Sequence, residues 1–255
     1  MIITWIQSLP LWLGFIIVVG SGVLLSSAGT LIVNMIFTPE ELIQNNVVGG
    51  FKFAFLAQIV ASLLAFSLVD SASRFSSFQQ RCDRELAAIS LLEKLEVALP
   101  SSTTRLRSAR RDYLRSVVDK EWSAMKVGQQ SPEAEANLGK WFMLAISIEP
   151  RSEREKLVLS QYVRTFSQVV ENRLGRLNDA SSSFEGLVWT SLSIAILITI
   201  TFNWFFGSNS LSTQVAMGTL LAGGVMSLVF LVITLSSPLV GDLAVQPDIY
   251  IKMAL

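Results

Sequence analysis

Residues 186–241 read GLVWTSLSIAILITITFNWFFGSNSLSTQVAMGTLLAGGVMSLVFLVITLSSPLVG, and no Asp, Glu, Lys or Arg occurs between Glu185 and Asp242. A bilayer core is about 30 Å thick, and a helix needs about 20 apolar residues to cross it. The stretch therefore holds two crossings, predicted over residues 187–206 and 214–236, with the polar turn GSNSLST at 207–213 between them. Outward from it, the first 39 residues also lack charge, which predicts a crossing over residues 11–37. A shorter window, residues 50–69 between Asn46 and Asp70, supplies one more, with Lys52 at its mouth where the stem can snorkel to headgroups. Helices buried in a water-soluble protein have no need of four such windows. The fold class read from the sequence is thus all-α: an integral membrane protein of four transmembrane helices in two hairpins, with the lipid bilayer as its first partner. The expected division is 1–69 for the N-terminal hairpin, 70–185 for a helical insert, and 186–255 for the C-terminal hairpin with a short tail. A cleaved secretory signal does not fit the N-terminus, which has no basic region and too long an apolar run.

Composition narrows the function classes. Charged residues make up 16% of the chain, against about 25% in soluble domains. Lys plus Arg equals Asp plus Glu at 20 each, so there is no basic footprint for nucleic acid. The chain has no histidine, which removes the usual general base and zinc ligand. Its one cysteine, Cys82, can form neither an intrachain disulfide nor a thiolate cluster. No glycine-rich phosphate loop or metal-ligand spacing occurs, and no acid lies within a span. The expectation is a protein that is not an enzyme, with no catalytic residues, no metal site and no cofactor.

Of the 40 charged residues, all but Glu40, Glu41, Lys52, Asp242, Asp248 and Lys252 lie in residues 70–185, which gives the insert a mixed soluble surface. Arg74, Arg81 and Arg84 follow span two, and Arg173 and Arg176 precede span three, whereas the other side offers Lys52 beside Glu40 and Glu41. The positive-inside rule then places the insert and both termini in the cytoplasm, at a cell inner membrane. Phe75, Phe78, Cys82, Leu86, Ile89 and Leu92 recur every three or four residues, so span two should continue into the insert as one helical stalk ending at Pro100. Residues 101–104 offer caps for a helix bearing Leu106, Tyr113, Val117, Val118, Trp122 and Met125, with Gly128 beyond its end. Ser131 before Pro132 opens the next, with Ala134, Leu138, Trp141, Phe142, Ala145 and Ile148 on one face. Ser152 with Glu155 opens a third, whose face reads Leu159, Val163, Phe166, Val170 and Leu177, and a joint is expected at 178–183.

Several residues are candidates for function. Ala54, Gln58, Ala61 and Ala65, with Ser62 nearby, form a small and weakly polar face on span two. It reads either as a packing face with one interhelical hydrogen bond or as a pore wall. Gly22, Ser26 and Thr30 on span one and Thr219, Gly223 and Ser227 on span four follow the small-xxx-small pattern of close helix approach. Lys52, Arg107, Arg110 and Arg111 are candidate contacts for an anion or a lipid headgroup. The denser run to which the three arginines belong, Arg105 to Arg115, also reads as a solvated face with Asp112 and Asp119 at reach. Cys82 reads as a buried structural thiol or, with Arg81 and Arg84 near, a redox sensor. Thr38, Pro39, Glu40 and Glu41 read as a capped start of a short interfacial helix. Asn34 and Asn203 fall near the non-cytoplasmic ends of spans one and three.

The stretches NNVVGGFKFAFLAQIVASLLAF (45–66), YLRSVVDKEW (113–122), SPEAEANL after Gln130, EPRSEREK after Ile148, the Phe206-Gly207 turn and SPLVGDLAVQP near the end occur in an order and spacing that resembles the bestrophin-like family of bacterial membrane proteins. Lys52 and Gln58 depart from it, standing where apolar residues are expected. The resemblance implies four spans with a helical cytoplasmic insert, and a distant kinship to bestrophins, pentameric anion channels whose second spans line the pore. It transfers no ligand, gate or metal residue to this chain. Two functions follow: a homo-oligomer passing small anions with span two nearest its axis, or a membrane-anchored scaffold whose insert binds a cytoplasmic protein.

Overall fold

The computed structural model describes residues 2–99, 103–181 and 186–254. Among them every regular element is helical: α1 (Ile2–Gln7), α2 (Leu11–Ile36), α3 (Pro39–Gln44), α4 (Asn46–Glu96), α5 (Thr103–Ser116), a π-helical turn (Val117–Glu121), α6 (Trp122–Met125), α7 (Pro132–Ile146), α8 (Glu153–Ser181), α9 (Gly186–Asn203), α10 (Leu211–Leu235) and α11 (Asp248–Ala254). Pro100, Ser101, Ser102 and the latter part of the joint expected at 178–183 lie outside the described residues. Among the described residues four helices are long and apolar enough to cross a bilayer, their apolar stretches falling in α2, α4, α9 and α10. The chain forms two compact units, Met1–Ser73 with Phe184–Leu243, and Arg74–Ser183 with Ala244–Leu255. The tail thus belongs with the charged unit rather than with the last hairpin, where the sequence grouped it, because α11 inserts Tyr250 into that unit's core.

In the first unit the apolar core gathers Val18 of α2, Val60 and Leu64 of α4, Leu192, Ile196 and Ile200 of α9, and Ala222, Val229 and Ile233 of α10. Residues without bulk set the closest approach. A Cβ on Gly22 would lie 2.3 Å from Met226, and one on Gly29 would lie 2.0 Å from the Trp204 ring. A Cβ on Gly218 would sit 2.9 Å from Asn203 Nδ2 and 3.0 Å from Ser26 Oγ. The α2 seam is the one the small-residue spacing predicts. On α10 the buried stripe is Gln214, Gly218 and Ala222 rather than Thr219, Gly223 and Ser227. That is a shift of one residue, which a four-residue period permits because adjacent stripes are both rich in small side chains.

Polar clamps pin both ends of this unit. At one end, Asn46 Nδ2 donates to the Gly207 carbonyl at 2.8 Å and Asn46 Oδ1 accepts from the Gly207 N–H at 3.0 Å. Thr38 and Glu41 form a reciprocal capping box at the start of α3. At the other end, Gln7 Nε2 donates to the Ile233 carbonyl at 2.7 Å, and Asp242 Oδ2 accepts from the first N–H of α2 at 2.9 Å. A carboxylate there meets the positive end of the helix dipole.

The charged unit is built on the C-terminal half of α4, whose Phe78, Cys82, Leu86, Ile89 and Leu92 are all buried as the spacing predicts. The hydroxyl of Thr103 donates to the carbonyls of Glu96 and Leu99 at 2.8 and 2.9 Å, joining the start of α5 to the end of α4. Ser131 caps α7 with Pro132 at its first position, and Ser152 accepts from the Glu155 N–H at 3.1 Å at the start of α8. Gly128 takes φ +70, the left-handed conformation that ends a helix.

Gly29→Ala should overpack the α2 seam and cost about 1–3 kcal/mol. Gly20→Ala, whose Cβ meets nothing within 4 Å, is the control. Thermal unfolding of the detergent-solubilised protein should show a lowered midpoint for the first and none for the second.

Candidate functional site

Helix α4 presents two kinds of surface. Along residues 46–71 it buries one narrow stripe, Val60, Leu64, Ser67 and Ser71, against its own unit. Only 17% of its most apolar window is buried, the lowest of the four candidate spans. Ala54, Gln58, Ala61 and Ala65 are exposed and Ser62 is half-buried. The structure therefore keeps these five residues on one helix and turns four of them away from the chain's other helices. Gln58 Nε2 reaches only Ser62 Oγ of its own helix, at 3.4 Å. Among the described residues this amide makes no interhelical hydrogen bond within the chain. Phe51, Phe55, Ile59, Leu63 and Phe66 are exposed as well, so α4 also shows a bulky apolar side.

At the start of this helix, Lys52 is exposed and borders a cavity of about 300 Å³. Phe37, Phe202, Phe205 and Phe206 wall that cavity, with Glu41 at its edge. Phe53 packs on Phe202 and Phe206 with centroids 6.0 and 5.3 Å apart. Asn34 is half-buried on α2, its Nδ2 donating to the Thr30 carbonyl of the same helix at 2.8 Å.

The basic stretch does not act as a block. Arg105, Arg107, Arg111 and Arg115 are exposed on α5. Arg110 is a correction: it is 1% exposed, turned inward, with Nε 3.3 Å from Glu96 Oε1 and Nη2 2.9 Å from Glu93 Oε1. Its neighbours on the helix face solvent because a 3.6-residue period carries residue 110, with Leu106 and Tyr113, to the core side. Tyr162 extends this pair, donating to Glu96 at 3.2 Å while accepting the Trp141 N–H at 2.8 Å. Burial raises the Glu96 carboxyl, an effect the Arg110 charge opposes.

The chemistry that sequence reasoning missed lies deeper. Glu85 accepts from Tyr113 Oη at 2.5 Å, Tyr250 Oη at 2.9 Å and Arg176 Nε at 2.8 Å. Glu121 accepts from Arg176 Nη2 at 2.7 Å and Arg173 Nη2 at 2.6 Å, and Arg173 also binds Glu135. Arg176 lies 5.7 Å from the Trp122 ring centroid and 5.4 Å from that of Tyr250. Burial opposes the Arg176 charge, yet Glu85 and Glu121 outweigh it and hold the guanidinium protonated. Each of the two fully buried glutamates, Glu85 and Glu121, is met by an arginine, and the cluster fastens α4, the π-helical turn, α8 and α11 together. The buried face of α8 carries Tyr162, Phe166, Val169, Arg173, Arg176 and Leu177; of the line read from apolar spacing Phe166 and Leu177 are buried, and Leu159, Val163 and Val170 are half-buried. One signal was available: Arg173 and Arg176 stand three apart, in phase with Tyr162, Phe166 and Val169.

Cys82 is buried beside this cluster, and burial pushes its thiol up to about 12. That leaves almost no thiolate at neutral pH, against the redox-sensor reading. Among the described residues no group of three or more His, Cys, Asp or Glu side chains is placed to hold a metal ion.

Arg176→Met leaves Glu85 and Glu121 short of a counter-charge and should destabilise the protein by about 3–5 kcal/mol. Arg107→Ala on the exposed side should change stability by less than about 0.5 kcal/mol. Cys82 should resist maleimide at pH 8 in the native protein and label fully in dodecyl sulfate; stoichiometric native labelling, read by intact mass, would contradict its burial.

With the geometry in view, the sequence matches a family model described as a Bestrophin-like domain over residues 21–250. The fold is similar to crystal structures of a bacterial bestrophin homolog from Klebsiella pneumoniae carrying single mutations. One gives a TM-score of 0.72 at 13% identity, covering 94% of this chain and 97% of that chain. Another gives 0.73 at 13% identity, covering 92% and 94%. A crystal structure of a membrane protein variant matches with a TM-score of 0.72 at 14% identity, covering 92% of this chain and 96% of that one. At such identities the likeness is one of fold. No curated protein matches the sequence.

Proposed function

We propose that this chain, which belongs to the bestrophin-like family, assembles with copies of itself into a membrane conduit for small anions. Helix α4 stands nearest the axis, and its C-terminal half extends the passage. The observation that carries this reading is the face of α4 left uncovered by the chain's own helices: Ala54, Gln58, Ala61 and Ala65, with the Gln58 amide held only by Ser62. Small side chains leave room at an axis where several helices converge, and a neutral amide supplies a donor to an anion that has lost part of its hydration shell. The exposed Phe51, Phe55 and Phe66 then face lipid or the adjoining subunit. The resemblance to channels whose second spans line the pore supports the same assignment. Charge distribution supports a cytoplasmic location for the charged unit and both termini, in a cell inner membrane.

Purified protein in liposomes should release chloride. Gln58→Leu should lower that flux several-fold, because a hydrogen bond lost from each subunit is worth about 1 kcal/mol. Flux no greater than that of empty liposomes at every pH and voltage would overturn the proposal. A stoichiometric cytoplasmic protein held by residues 100–170 would then favour the scaffold reading.

A further inference from the structure

At one end of the first unit, the close of α2, the short α3, the start of α4 and the last turn of α9 surround the cavity of about 300 Å³ already described. Its size is at the lower end of small-molecule sites. The walls are held from several directions. A Cβ on Gly207 would lie 2.6 Å from the Ile43 nitrogen and 2.7 Å from Leu42 Cβ, so the turn after α9 packs directly on α3. The paired bonds between Asn46 and Gly207, with Phe53 stacked on Phe202, tie α4 to the same turn. Phe37 and Phe205 line the cavity edge to face, their centroids 6.1 Å apart, and both are exposed.

Two opposite charges, Lys52 and Glu41, stand among the lining residues and do not pair with each other. Among the described residues Lys52 makes no ion pair. Glu41 takes the Thr38 N–H at 2.8 Å and the Thr38 hydroxyl at 3.0 Å, both on Oε2, which leaves Oε1 without a partner. These bonds hold its carboxyl below the usual range, so Glu41 is an anion at neutral pH. A ligand of one sign is attracted by one of these groups and repelled by the other, whereas a zwitterion is attracted by both. The surroundings indicate its source. The cavity lies at the shared end of α2, α4 and α9, three helices apolar and long enough to cross a bilayer. Met35 and Ile36, just before Phe37, and Phe51, just before Lys52, are strongly exposed, an apolar surface that lipid covers. A lysine at the start of a span lays its stem along such a surface and holds its ammonium among the headgroups.

We infer that this cavity seats one zwitterionic phospholipid per protomer, its phosphate against the Lys52 ammonium, its headgroup ammonium against Glu41, and the start of an acyl chain along Phe37 and Phe205. The site requires only that these helices meet a bilayer and does not rest on the proposed conduit: a protein without flux can hold the lipid, and a conducting one can lack it.

The full chain, delipidated in detergent and titrated with phosphatidylethanolamine or with phosphatidylglycerol of the same acyl chains, tests it by native mass spectrometry. One phosphatidylethanolamine per protomer should be retained, at a several-fold lower concentration than phosphatidylglycerol, which brings the phosphate without the ammonium. This comparison needs no variant. Lys52→Met keeps an unbranched apolar stem, and Glu41→Gln keeps a side chain able to complete the capping box. Each should weaken phosphatidylethanolamine retention several-fold, the scale of one partly exposed charge contact, and Glu41→Gln should leave phosphatidylglycerol retention undiminished. Equal retention of the two lipids, phosphatidylethanolamine retention unchanged in both variants, free phosphoethanolamine bound as tightly as the lipid, or a side chain of a second copy seated in the cavity in images of the assembled particle would overturn the inference.

Discussion

The carboxylate of Glu85 holds the charged unit together. It receives a guanidinium from α8, a phenol from α5 and a second phenol from α11, all at a point on α4 shielded from water. A carboxylate in such a place is tolerable only when its oxygens are fully occupied and its charge is met. The π-helical turn serves the same requirement. It lies at Val117–Glu121 and ends on the residue that gives Arg176 and Arg173 their second carboxylate. A widened turn changes the angle at which following side chains leave the helix, and here it coincides with a glutamate that has to face inward.

Much of this architecture was legible because lipid imposes a coarse rule. Long charge-free tracts are conspicuous, and Thr38 with Glu41, Ser131 with Pro132, and Ser152 with Glu155 are local signals that need no tertiary information. The stalk spacing from Phe78 to Leu92 was equally direct. What escaped was the inward-facing charge. Arg110, Arg173 and Arg176 look like surface residues to any rule that sorts side chains by polarity, since their partners lie 14 to 91 residues away in sequence. The stripe on α10 was missed by one position for a related reason: Thr219 and Gly223 satisfy the small-residue pattern as well as Gly218 and Ala222 do. Tyr250 gave no periodic signal at all, in a tail too short to show one.

For the α4 face, the sequence supplied the residues and left two readings open. The small polar stripe looks outward while Val60 and Leu64 look in. A helix that buries so little of itself in its own unit exposes apolar and weakly polar surface on several sides at once. Lipid suits the phenylalanines, and it suits the Gln58 amide far less.

The placement of Tyr250 bears on biosynthesis. This ring completes the hydrogen bonding of a carboxylate laid down 165 residues earlier. During translation Glu85 and Arg176 emerge well before that ring, with two apolar tracts still to be made and inserted between Arg176 and the tail. The charged unit therefore waits in a partly closed form while the last two apolar helices are made, and its final fastening comes only after them.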